Sequence, residues 1–248
     1  MEAYVRHFEN NQIGYLEFGH PSANSLPLYL LEQLDHQLNE LSKKETVQVI
    51  VIQSSGDRAF CAGASFEEMK ELKNKEEATA FFMGFANLIN RIRLLKKFVI
   101  VKVQGKVVGG GVGLVAACDY AIALDTAEIK LSELSIGIGP YVIEPAVSRK
   151  IGTTAFHQLS LDAHQWKSAK WAQQKGLYTT VCHSKEALDK NVVNTATRLG
   201  SYSPIANENL RKLHWKDTDH WNTLLERNAE ITANLALQKA TQNILKKL

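Results

Sequence analysis

Two glycine-containing segments, Ala59-Phe-Cys-Ala-Gly-Ala-Ser-Phe-Glu-Glu-Met69 and Val107-Val-Gly-Gly-Gly-Val-Gly-Leu-Val-Ala-Ala-Cys-Asp119, each follow a strand-like apolar run. A pair of such turns can aim backbone N–H groups at one carbonyl oxygen, the arrangement that stabilises an enolate. In the second segment Gly109-Gly-Gly opens a short apolar helix over residues 112–118. Glycine there permits unusual φ and close approach of a ligand to backbone, and the helix N-terminus adds partial positive charge. Taken alone, the same three glycines read first as a tight turn packing a helix on a sheet.

Other chemistries find less support. From Gly109 the sixth position of a G-x-G-x-x-G fingerprint is Leu114, and no Gly-Lys-Ser/Thr ending of a phosphate loop is present. There is no H-E-x-x-H and no G-x-S-x-G, and the eight histidines have no metal-ligand spacing. Three carboxylates besides the Glu67-Glu68 pair stand out. Glu133 follows a short strand in apolar surroundings, where a raised pKa would suit acid–base work; its plain alternative is a surface loop glutamate. Glu67, Glu68 and Glu144 read as helix-start charges, and Asp119 as a capping or turn residue.

The elements that must position these residues alternate. Residues 13–18 read as a strand, 21–25 as a turn, and Leu28, Leu31, Leu34, Leu38 and Leu41 as the buried stripe of a helix. Strand 47–53, helix 78–95, strand 98–103 and short strands 120–124 and 128–131 follow. Residues before 13 look disordered. The strand-strand-helix alternation predicts α/β packing with stacked sheets. From Thr153 onward strand signals nearly vanish: helices are expected over 163–175 and 184–198, and 205–248 is mostly helix-compatible. Leu224, Leu225, Ile231, Leu235, Leu237, Ile244 and Leu245 exceed what a lone exposed helix tolerates, which predicts packing on the body or on a neighbouring subunit.

At 248 residues and 45% apolar, the chain can bury an enzyme-sized core. No stretch approaches the roughly 18 consecutive apolar residues of a membrane span, and Met1-Glu-Ala-Tyr-Val-Arg has no apolar leader core. Cys61, Cys118 and Cys182 are odd in number and scattered, suggesting neither disulfides nor zinc. A cytoplasmic location is expected. A net charge of +3 spread along the chain does not indicate nucleic acid.

In combination and order, the two glycine segments and Leu131-Ser-Glu-Leu-Ser-Ile-Gly137 resemble the crotonase, or enoyl-CoA hydratase/isomerase, superfamily, with similarity to its methylglutaconyl-CoA hydratase-like subgroup. The resemblance implies an α/β spiral of ββα units over residues 1–195 and a helical C-terminal oligomerisation region over 196–248. It also implies homotrimers or hexamers, no membrane, and an acyl-CoA substrate whose coenzyme A is part of the substrate, with no separate cofactor or metal. By motif, Ala64 and Gly110 match the two backbone donors to the thioester oxygen, flanked by Gly63, Gly109 and Gly111. Arg58, Phe60 and Ala62 match a wall for the coenzyme, and Phe66, Met69 and Tyr141 are candidate acyl-pocket residues.

Hydratases of this family hold water between two glutamates. Glu133 matches the second, whereas the first falls at Gly113, which has no side chain. That glycine favours a single-glutamate isomerase, whereas the Gly-Gly-Gly-Val-Gly-Leu run with Ser132-Glu133 resembles hydratases of branched methylglutaconyl-type substrates; the resemblance as a whole implies a hydratase, with that substrate as one option and the isomerase as the runner-up. A decarboxylase or a non-catalytic acyl-CoA-binding protein are further alternatives.

Overall fold

The computed structural model describes residues 2–247. Met1 and Leu248 lie outside the described residues, and with them the last position of the helix-compatible 205–248 segment. The chain opens with β1 (Tyr4–Asn10), which pairs antiparallel with β2 (Ile13–Gly19) across a turn whose Asn11 and Gln12 adopt φ of 49° and 66°. Two positive-φ residues between strands form the tight hairpin that matches strand twist. The start expected to be disordered is thus an edge strand. Its side chains are mostly half or fully exposed, so it carries no run of buried apolar residues for a sequence reading to find.

Helix α1 (Leu28–Lys43) buries Leu31, Leu34, Leu38 and Leu41, as its three-and-four spacing predicts. Then the spiral begins. Each turn gives one strand to a large sheet and the next to a small one: β3 (Val49–Ser54) and β4 (Ala59–Cys61), followed by α2 (Phe66–Glu71) and α3 (Lys75–Leu94). β5 (Phe98–Val103) and β6 (Lys106–Val108) lead to α4 (Gly110–Ala117), and β7 (Tyr120–Leu124) and β8 (Ile129–Lys130) lead to a 3-10 turn at Glu133–Ile136. The result is a six-stranded sheet ordered β1-β2-β3-β5-β7-β9, with β9 at Thr180–Cys182, and a three-stranded sheet ordered β4-β6-β8, parallel apart from the β1–β2 hairpin.

Helices α5 (Glu144–Ile151), α6 (Thr153–Leu161) and α7 (Ala169–Gln174) come next. Only the second half of the helix expected over 163–175 forms, because Lys167 exchanges backbone hydrogen bonds with Ile129 before Ser168 caps α7. β9 (Thr180–Cys182) is a strand in a region where strand signals had nearly vanished; it completes the large sheet beside β7. Three residues are too few to show an alternation, so only a pre-formed sheet edge selects this conformation.

The C-terminal region comprises α8 (Lys185–Gly200), α9 (Pro204–His214), α10 (Trp221–Ala236) and α11 (Lys239–Leu245). A division after residue 195 falls inside α8, and the helices beyond it share the main core: Trp221, Leu225, Ala229, Ala233 and Leu245 are buried with it. Helix α10 packs along α3, and α11 lies on α2 and the 3-10 turn.

Candidate functional site

The two glycine segments meet across the small sheet. β4 and β6 run parallel, so the turns that leave their C-terminal ends lie side by side. Gly63 adopts φ of 87°, and a Cβ there would sit 3.0 Å from the Val108 carbonyl oxygen and 3.5 Å from the Gly110 nitrogen. Only glycine satisfies both the left-handed backbone and the close approach. The Gly63 carbonyl is held by the Leu26 amide at 2.8 Å, and Ala62 N–H donates to the Ala23 carbonyl at 3.2 Å. The 21–25 turn therefore braces the first glycine segment. Buried Asn24 completes the brace by donating to the carbonyls of Ser55 and Ala59.

Among the described residues, neither the Ala64 nor the Gly110 amide donates to a backbone carbonyl. Gly110 is the first residue of α4, whose opening N–H groups have no partner within the helix. Gly109, at φ of 53°, caps it and donates to the Lys130 carbonyl at 3.0 Å, tying the turn to β8. A Cβ at Gly110 would lie 2.3 Å from the Phe85 ring, so the α3 side chain fills the space behind this amide.

Glu133 opens the 3-10 turn after β8. A Cβ at Gly109 would be 3.0 Å from its Oε1, so the carboxyl group lies against the glycine turn. Its Oε2 is buried with no hydrogen-bond partner. Burial pushes the carboxyl pKa up to about 7, with only its own backbone amide opposing the shift. A carboxyl group poised near neutrality, with one oxygen unpartnered and facing a cleft, can accept or donate a proton. The turn ends at Gly137, φ 86°, whose carbonyl accepts from Thr241 of α11 at 3.2 Å.

The cleft between these groups encloses about 520 Å3, including its open mouth, and is lined by Ala62, Gly63, Ala64, Phe66, Met69, Gly109, Gly110 and Glu133 from the sequence-predicted set. A second cleft, flanked by Ser22, Ser25, Ser65, Glu67 and Lys70, shares Ala62, Ala64 and Phe66 with it. Sequence reasoning missed Phe82, Phe85, Ser132, Ile138, Val142, Ile143 and Thr232, which also line the first cleft. Phe82 and Phe85 carried only a helical-periodicity signal, and Thr232 comes from α10, almost 100 residues from Glu133.

Four predicted residues do not line the cleft. Phe60 is fully buried and packs edge-on against Phe18, ring centroids 5.6 Å apart, so it is a core residue and not a wall for the coenzyme. Gly111 faces Cys61, whose Cβ would be 2.8 Å from an added methyl, and serves helix-to-strand packing. Tyr141 lies over Gly139 with 38% exposure, outside the cleft, and Arg58 is exposed just before β4.

The remaining carboxylates lie outside the cleft. Glu68 accepts the Leu28 amide at 2.8 Å and so caps α1, Glu144 starts α5, and Glu67 is exposed. Asp119 forms a buried ion pair with Arg211 at 2.9 Å and accepts the Val99 amide. At Gly113 the expected second carboxylate has no room: a Cβ would lie 2.3 Å from Ile143 Cγ2. Among the described residues no cluster of His, Cys, Asp or Glu could hold a metal ion, and no helix is long and apolar enough to cross a membrane.

Comparison with known proteins places the chain in a family. Residues 8–246 match the family model described as enoyl-CoA hydratase/isomerase. The chain is 28% identical over 200 residues to the short-chain-enoyl-CoA hydratase of Clostridium acetobutylicum, covering 80% of this chain and 76% of that protein. It is 25% identical over 227 residues to the peroxisomal Delta(3,5)-Delta(2,4)-dienoyl-CoA isomerase of Arabidopsis thaliana, covering 83% and 80%. The crystal structure of an enoyl-CoA hydratase from Bacillus halodurans has the same fold, with a TM-score of 0.91 at 21% identity over 99% of this chain and 100% of that one. The spiral, the paired glycine turns and the match along nearly the whole chain make one statement: this protein belongs to the enoyl-CoA hydratase/isomerase family.

Proposed function

We propose that the protein is an enoyl-CoA hydratase-type enzyme in which Glu133 is the sole proton carrier. The thioester oxygen accepts hydrogen bonds from the Ala64 and Gly110 amides, which offset the charge that develops on it as an enolate forms. Glu133 takes a proton from water as the water oxygen bonds to C3, and the same proton returns to C2. The observation that carries this reading is the buried, unpartnered Oε2 of Glu133 beside the glycine turn. The adjoining cleft, lined by Ser22, Ser25, Ser65, Glu67 and Lys70, is polar, and Lys70 and the three serines offer donors to the coenzyme portion of the substrate.

A second reading is an enoyl-CoA isomerase in which Glu133 moves a proton between C2 and C4. It is favoured by Ile143, which puts hydrocarbon where a second carboxylate would hold water. The test is a substrate panel of crotonyl-CoA, a 3-enoyl-CoA and 3-methylglutaconyl-CoA. Hydration of crotonyl-CoA supports the first reading, and 3-enoyl to 2-enoyl conversion without hydration supports the second. Absence of turnover with all three, despite tight binding, leaves a non-catalytic acyl-CoA binder. Trimer or hexamer assembly belongs to the same proposal and is measured by light scattering on the purified protein.

A further inference from the structure

The charge inventory of the cleft constrains the acyl group more narrowly than the family does. None of the residues lining it is Lys, Arg or His, and Glu133 is its one ionisable group. Buried Met69, Phe82, Ile138 and Ile143 give it hydrocarbon walls. Thr232 is 2% exposed, and its hydroxyl donates to the Asn228 carbonyl at 2.8 Å, so the oxygen it offers to the cleft can only accept. From these observations we infer that the acyl end of the cleft takes an uncharged acyl group and rejects one carrying a distal carboxylate.

The inference rests on the acyl-CoA reading above and deepens it. A second carboxylate in this space would leave water without a cation to pair with, the costly case for a buried charge. It would also sit beside Glu133, and two carboxylates sharing one apolar site cannot both ionise readily. The methylglutaconyl-type group expected from the sequence carries such a carboxylate; its uncharged branched counterpart, 3-methylcrotonyl-CoA, does not.

The test is direct binding of two unreactive thioesters of equal chain length, valeryl-CoA and glutaryl-CoA, by titration calorimetry. Valeryl-CoA is expected to bind at least ~10-fold more tightly, the equivalent of about 1.4 kcal/mol. In Ile138→Lys, which places a cation at the wall, the gap is expected to narrow or reverse. Glutaryl-CoA binding the wild type as tightly as valeryl-CoA overturns the inference while leaving the acyl-CoA reading intact. Failure of the wild type to bind either thioester overturns both. An unchanged gap in a folded Ile138→Lys protein, checked by circular dichroism, shows that this wall does not discriminate and also overturns it.

Discussion

Glu133 sits in hydrocarbon with one oxygen unpartnered, an arrangement that costs stability and gives reactivity. Its folded pKa, about 7, lies above the ordinary 4.5, so the folded chain favours the protonated form. That preference is fully present below pH 4.5 and lost as pH rises through 7, a change on the order of 3 kcal/mol. Glu133→Gln lacks it. Relative to wild type, the variant is expected to gain stability between those two pH values and then hold a constant advantage, as read by urea midpoints across pH. Its turnover is expected to fall by about 10²–10⁴-fold with acyl-CoA binding retained; near-normal rates would sink the proton-carrier role. For wild type, kcat/KM for a base-initiated reaction should rise through pH 7 and level off.

The proposed oxyanion donors belong to the same scale. Because any Cβ at Gly110 meets Phe85, Gly110→Pro is informative only beside Gly110→Ala, which crowds the ring equally but keeps the N–H. Proline is sterically acceptable at a first helical position, so the comparison isolates the donor. The Pro variant is expected to be slower than the Ala variant by about 10²–10³-fold in kcat. Equal rates would remove Gly110 from the oxyanion hole.

At the scale of elements, α4 and α5 are fitted to each other through Gly113 and Ile143. Gly113→Glu alone is expected to destabilise the fold by about 1–3 kcal/mol through overpacking. Adding Ile143→Ala opens the space, and the double variant is expected to recover stability and to shift turnover toward hydration. Loss of activity together with recovered stability would show that the second carboxylate does not suit this cleft. The α9 helix is anchored differently. Arg211, 1% exposed, pairs with Asp119 and donates to the carbonyls of Ile92, at 2.8 Å, and Leu95. Arg211→Met leaves Asp119 buried without its partner and is expected to cost about 3–5 kcal/mol in chemical denaturation.

Across the whole molecule, the C-terminal helices complete the cleft of their own chain. Thr232 of α10 lines it, Thr241 of α11 holds the carbonyl that ends the Glu133 turn, and Gln242 donates to the Met69 carbonyl at 3.3 Å. The far end of the chain thereby bridges α2, which follows the first glycine segment, and the 3-10 turn that carries Glu133. Ending the chain after Gln238 removes the bridge and buried Leu245. That truncation is expected to lower kcat/KM by at least ~10-fold, because catalytic groups displaced by an ångström lose much of their effect. Unchanged kinetics together with unchanged amide exchange over residues 133–137 would show that the bridge positions nothing.

Much of this architecture was legible in the chain. The leucine stripe of α1, the alternating strands and helices and the paired glycine turns are local signals, since periodicity and φ preference act over a few residues. Glu133, Ala64 and Gly110 stood out because their motifs are contiguous, and the fold brings all three to one cleft. Tertiary structure decided what contact alone can decide: β1 and β9 are strands because a neighbouring strand offers an edge, and Phe60 is core because Phe18 lies across from it. It decided too that Ile143 fills the place beside Gly113, that Thr232 closes the cleft, and that no cation enters it. The sequence by itself determined which groups could do chemistry; only packing, which joins residues a hundred positions apart, determined the shape and charge of the space in which they do it.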